Sequence, residues 1–121
     1  MSLKLKQIYI VDDDESVCRA LKLLMMTYGF AVETFSCAKN FFSTVSNGMP
    51  GCLILDIHMS GINGWEAKKR LIESGSDRPV IIITAEKDDG LHERALNAGA
   101  VGFLQKPFND QQLVDLINLA H

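Results

Sequence analysis

The sequence predicts an α/β fold of the doubly wound kind: a five-stranded parallel sheet with helices on both faces. Three observations predict it. Five short apolar runs alternate with stretches whose apolar residues recur at helical spacing, a βαβ pattern. The runs are almost unbroken by polar residues, which is how strands buried on both faces read. Where several of the runs end, acidic or hydroxyl residues stand in place of apolar ones, as at the carboxyl edge of a parallel sheet.

The 121 residues suit one domain, 1–121, long enough to bury a core without disulfides or metal staples. A hydrophobic fraction of 47% with 22% charged residues is that of a soluble globular chain, and no run approaches a membrane span. The three cysteines, Cys18, Cys37 and Cys52, are odd in number and lack CxxC spacing, which argues against a disulfide framework or zinc site. A reducing, cytoplasmic setting without membrane attachment is the corresponding expectation. The net charge of −3 offers no basic face, so direct nucleic acid binding by these residues is not expected.

Ile8–Val11 is the first strand and runs into Asp12, Asp13, Asp14 and Glu15, after which Val17, Leu21, Leu24 and Tyr28 mark a helix up to Gly29. Phe30–Phe35 is the second strand. Ser36 is the expected N-cap of a helix with Ala38, Phe41, Phe42 and Val45 inward, closed by Asn47 and Gly48. The central strand carries Leu53, Ile54, Leu55 and Ile57, interrupted by Asp56. Asn63 and Glu66 then resemble a capping box opening a helix through Leu71 and Ile72 to Gly75. Val80–Ile83 is the fourth strand, ending at Thr84, and Leu91, Ala95 and Leu96 mark a helix stopped by Gly99. Val101–Leu104 is the fifth. Lys106 and Pro107 break it, and Asn109 as N-cap, Gln112 three residues on and a Phe108–Leu113 staple start the last helix.

In one common order of doubly wound sheets, 2-1-3-4-5, the first and third strands are neighbours and the crevice lies between their carboxyl ends. Asp12, Asp13 and Asp56 converge there, with Thr84 and Lys106 on the same rim. Clustered carboxylates repel one another unless a cation joins them, and a hard divalent ion such as Mg²⁺ suits an all-oxygen donor set. A hydroxyl and an ammonium facing it could hold the oxygens of a phosphoryl group on Asp56, with that carboxylate as nucleophile. Each piece has a plainer reading. Asp12 to Glu15 could be caps and favourable charges at a helix start, Thr84 an ordinary strand end, and Lys106 a solvated turn residue. His58 reads as a loop histidine and the cysteines as packing residues. Joint placement of five such residues at strand ends is what favours the site.

These motifs resemble those of two-component response regulator receiver domains over essentially the whole length. The matching segments are IVDDDE, LILDIHM followed by GINGW, ITAE, and AGAVGFLQKPF with its aromatic and its lysine before proline. The resemblance implies the flavodoxin-like topology, with strand order 2-1-3-4-5, and a phosphorylation-activated signalling switch rather than an enzyme acting on a separate substrate. By the same resemblance, Asp56 accepts phosphate, Asp13 ligates Mg²⁺ directly, Asp12 assists through water, and the backbone carbonyl of His58 completes the protein ligands. Thr84 and Lys106 bind the phosphoryl oxygens. Thr84 and Phe103 form the switch, with Gly102 leaving room for the ring to swing, and the Lys106–Pro107 bond is cis. The implied partners are a sensor histidine kinase, a second copy of the chain on phosphorylation, and a C-terminal output domain. The similarity is greatest to receivers preceding a helix-turn-helix domain in LuxR-type transcription regulators. Ser60 departs from the family's usual proline and loosens that loop.

Three other functions share parts of this pattern, one of them a degenerate receiver acting only as an interaction module, which keeps the fold and loses the acids, whereas here every acid is present. A flavin mononucleotide binder of the same fold needs glycine, serine and threonine donors in its first loop, where Asp12 to Glu15 would repel a phosphate. An aspartate-nucleophile phosphatase needs a second acid two residues after the nucleophile, where this chain has His58.

Overall fold

The structure is a computed structural model of the chain, described here for residues 6–46, 49–57, 78–84, 93, 96, 97, 99–105 and 108–120, with backbone alone at 38, 39, 56, 57 and 120. Its elements are β1 (Gln7–Val11), α1 (Glu15–Thr27), β2 (Ala31–Phe35), α2 (Ala38–Thr44), β3 (Cys52–Ile57), β4 (Val80–Thr84), β5 (Gly102–Gln105) and α3 (Asp110–Ala120). The helices expected over 63–75 and 91–98 and the Lys106–Pro107 bond lie outside the described residues or touch only scattered ones.

The strands form one parallel sheet in the order β2-β1-β3-β4-β5. Alternation along each strand sends successive side chains to opposite faces. Tyr9, Val11, Leu53, Leu55, Val80 and Ile82 pack with Phe41 and Val45 of the α2 segment on one face. Ile8, Ile10, Cys52, Ile54, Ile81 and Ile83 pack with Cys18, Leu21 and Met25 of α1 and Leu113, Val114 and Ile117 of α3 on the other. Helices therefore cover both faces. Both layers consist mainly of fully buried branched aliphatics, whose burial stabilises by about 1.5–3 kcal/mol per side chain.

The termini of α1 explain its boundaries. The Asp14 carboxylate accepts the Ser16 and Val17 backbone N–H groups, capping orphan donors of the first turn. At the other end Gly29, at φ +88°, lets its own N–H reach the Met26 carbonyl and the Phe30 N–H reach that of Met25. This is a Schellman closure, with Phe30 and Met25 in apolar contact. Because Phe30 finishes the helix, β2 begins at Ala31 and not at Phe30.

Three further expectations are corrected. The N-cap of α2 is Cys37 in extended conformation, with no side-chain cap bond, rather than Ser36. Phe41 and Val45, four residues apart, take the buried stripe, so Phe42 lies about 100° further round the helix axis and is exposed. β5 begins at Gly102 because exposed Val101 donates its N–H to Val80 at the sheet margin while Gly102 pairs with Ile81. The reciprocal bonds of Asn109 and Gln112, both 2.9 Å, form the expected capping box, and Phe108 packs with Leu113 in one cluster.

At the amino edge, opposite the strand ends of interest, Arg78 joins three segments. Its guanidinium donates to the carbonyls of Gly51 and Ser46 at 3.2 and 3.0 Å and lies over the Tyr9 and Phe41 rings at 5.1 and 5.6 Å. The Tyr9 hydroxyl donates to the Pro50 carbonyl at 3.1 Å.

Candidate functional site

The site is assembled by strand register. Val11 of β1 pairs with Leu55 of β3, so Asp12 and Asp56 each stand one residue beyond a matched pair on adjacent strands. Ile57 pairs with Thr84, and Thr84 pairs with Gln105, the residue before Lys106. Three strand ends thus bring Asp12, Asp13, Asp56 and Thr84 to one edge of the sheet. Lys106 and His58 lie outside the described residues, and Asp56 is placed by its backbone only.

Asp12 is 1% exposed and firmly held. Its N–H donates to the Phe35 carbonyl at 3.0 Å, tying the end of β1 to that of β2, and its Oδ1 accepts the Asp14 N–H at 3.0 Å. Asp13 is exposed. The acidic run is therefore divided in role. Asp14 caps α1, as the plainer reading supposed for the run as a whole, and Glu15 pairs with Arg19 at 3.4 Å on an exposed surface where such a pair contributes little. Asp12 and Asp13 precede the helix and line a cavity of about 480 Å³ with Glu15, Cys18, Thr34, Phe35, Ser36 and Asn40.

Three carboxylates in that wall make it unsuited to a phosphate-bearing cofactor bound directly, which disfavours the flavin alternative. The donor set, carboxylate, hydroxyl and amide oxygen, suits a hard cation. Among the described residues, which do not include the Asp56 side chain, no group of three His, Cys, Asp or Glu side chains comes together as a metal site. The residues present fit Mg²⁺ in kind.

Thr84 is fully buried, and alternation puts it on the face of Val80 and Ile82. Phe103, half-buried, pairs with Ile82 and packs on that same face, so Thr84 and Phe103 are diagonal neighbours across β4 and β5. Gly102 does not make room for that ring. A Cβ there would meet the Leu116 methyls at 3.1 and 3.2 Å, so its bareness accommodates α3 on the opposite face.

Sequence reasoning missed Thr34, Ser36 and Asn40 as cavity-lining residues. The strand order held the signal, because β2 beside β1 necessarily puts its carboxyl end next to Asp12.

Comparison with known proteins agrees with this architecture. Residues 8–118 match the response regulator receiver domain family. Response regulator protein TodT of Pseudomonas putida is 39% identical over 99% of this chain and 53% of its own length. Transcriptional regulatory protein FixJ of Bradyrhizobium diazoefficiens is 36% identical over 93% of this chain and 55% of its own. The chain thus spans about half the length of these relatives. Among solved structures, the response regulator StyR superposes with a TM-score of 0.82 at 39% identity, covering 97% of this chain and 59% of that one. The structure titled FixJ-N superposes with a TM-score of 0.83 at 31% identity, over 98% and 94% respectively.

Proposed function

The chain belongs to the response regulator receiver family, a family of signalling domains, and from that premise we propose that Asp56 is its phosphoacceptor. The phosphoryl group comes from a phosphohistidine of a sensor histidine kinase. The Asp56 carboxylate attacks phosphorus, an O–P bond forms as the N–P bond breaks, and the leaving imidazole nitrogen takes up a proton. The observation that carries this reading is the register that sets Asp12 and Asp56 one step beyond the Val11–Leu55 pair, with Thr84 one strand further.

Asp12 and Asp13, with Asp56 and the His58 carbonyl, would hold Mg²⁺, Asp13 directly and Asp12 through water. When bound, Mg²⁺ neutralises the carboxylates and the charge that develops on the transferring phosphoryl oxygens. The buried, hydrogen-bonded setting of Asp12 keeps its carboxylate from reorganising as charge shifts. Thr84 and Lys106 bind the phosphoryl oxygens of phosphorylated Asp56. The same groups let the domain promote its own phosphorylation and dephosphorylation.

Output follows from the diagonal adjacency of Thr84 and Phe103 on one face of the sheet. A phosphoryl group carries about 1.5 to 2 negative charges and accepts strong hydrogen bonds, so it draws the Thr84 hydroxyl towards Asp56. The Phe103 ring beside it then repacks and alters the surface that includes β5, where Leu96 and Val101 are exposed apolar residues. That surface pairs with a second copy or an output domain, here a C-terminal DNA-binding domain in a cytoplasmic transcription regulator.

The test is phosphorylation by a small acyl phosphate with Mg²⁺, read by intact-protein mass. The parent protein gains one phosphoryl group and Asp56→Asn gains none. A full phosphoryl mass on Asp56→Asn would overturn the assignment.

A further inference from the structure

We infer that Cys18 is a positioning residue for the acid pair, holding the Asp12–Asp13 peptide so that Asp13 is aimed at the cation. The inference rests on the reading of Asp12 and Asp13 as the metal-binding acids. Cys18 lies in the first turns of α1, is 7% exposed, and lines the same cavity as both acids. Its Sγ is 3.3 Å from the Asp12 carbonyl oxygen and 3.9 Å from that of Phe35. Those two carbonyls end β1 and β2, and the Phe35 carbonyl already accepts the Asp12 N–H at 3.0 Å. The thiol therefore sits beneath the junction of the two strands and donates to its nearer carbonyl.

The Asp12 carbonyl belongs to the peptide unit joining Asp12 to Asp13. A peptide unit is planar, so a donor that fixes the direction of its C=O fixes the rotation of the whole plane and with it the position of the Asp13 Cα. Asp12 is then restrained at three points: its N–H by Phe35, its Oδ1 by the Asp14 N–H, and its carbonyl by Cys18. Asp13 is exposed, and the peptide before it sets the direction in which its side chain leaves the backbone. Groups that orient a metal's ligands contribute to affinity without touching the metal. A packing residue at this position would need only volume, whereas a positioning residue needs a donor.

Substitutions separate the two. Cys18→Val keeps bulk and loses the donor, Cys18→Ala loses both, and Cys18→Ser keeps a donor at reduced apolar bulk. Mg²⁺ titrated calorimetrically into the full chain should bind about three- to tenfold more weakly to Cys18→Val and Cys18→Ala, the loss of one modest hydrogen bond. Cys18→Ser should bind within about twofold of the parent, as retention of the donor requires. Cys18→Val binding like the parent, or Cys18→Ser failing as badly as Cys18→Val, would overturn the inference. Amide exchange at Asp13 in the metal-free protein gives a second measurement, since that N–H lies in the same peptide unit. It should quicken in Cys18→Val and not in Cys18→Ser, and equal exchange in all three proteins would refute the positioning role. If the parent binds no Mg²⁺, or Asp13→Asn binds it unchanged, the metal reading itself fails, and the exchange measurement still decides the role of Cys18.

Discussion

Cys37 is exposed at the start of α2, while Cys18 and Cys52 are buried, and burial pushes the Cys52 thiol up to about 12. Desolvation outweighs the opposing attraction of Arg78, because the thiolate would sit where water cannot reach it. A thiol reagent at mildly alkaline pH should therefore modify one of the three cysteines quickly in the native protein and all three after denaturation, by mass; rapid modification of Cys52 in the folded state would contradict its burial. The linkage has a definite sign. The unfolded thiol ionises near its ordinary value of 9.0 and the folded one only near 12, so between these values the native state binds more protons than the unfolded state. Stability is full below about pH 9 and falls as pH rises towards 12. The Tyr9 hydroxyl, raised by burial against the lowering effect of Arg78, acts in the same direction. Denaturant titrations from pH 8 to pH 11 should show a steeper loss in the parent than in Cys52→Ala, and parallel slopes would remove Cys52 as the cause.

At the scale of elements, α1 and α3 are started by different devices that sequence spacing already displayed. In α3 the capping box satisfies the Asn109 and Gln112 N–H groups reciprocally. In α1 the Asp14 Oδ1 accepts two backbone N–H groups and the Ser16 hydroxyl at 2.6 Å. Asn109→Ala and Asp14→Ala should each lower unfolding stability by about 1 kcal/mol, the ordinary worth of an N-cap. Asp14→Ala should in addition weaken Mg²⁺ binding, because the Asp14 N–H also restrains the Asp12 carboxylate and a frayed helix start releases it. Equal Mg²⁺ affinity in the parent and in Asp14→Ala would show that the cap and the acid pair are independent. The amino edge needs glycine at Gly51, where φ is +146° and an added Cβ would overlap the Tyr9 ring.

Across the whole molecule, Mg²⁺ binding to the native state should raise stability by about 1 to 3 kcal/mol at concentrations well above Kd, since the unfolded chain does not assemble the acids. The rise in melting temperature with millimolar Mg²⁺ should vanish in Asp13→Ala; a parent protein whose melting is indifferent to Mg²⁺ would overturn the metal assignment. The alternation of apolar runs with helical stretches sufficed for the sheet, its burial on both faces and the placing of acids at strand ends, because those follow from hydrophobic period and local turn chemistry. Helix starts marked by paired cap residues, Asn109 with Gln112, were equally legible, since both partners lie within one turn. What the sequence could not resolve depends on contacts between distant segments. Helical spacing alone puts Phe42 inward, though only one of two adjacent phenylalanines faces the sheet, and sequence adjacency matches Gly102 to Phe103, although it answers to Leu116 on the other face. Cys18 read as filler until the fold brought the carbonyl ends of β1 and β2 together above its thiol. Local period determines which residues form an element; only packing between elements decides which atoms meet, because that depends on register and crossing geometry that no short window of sequence contains.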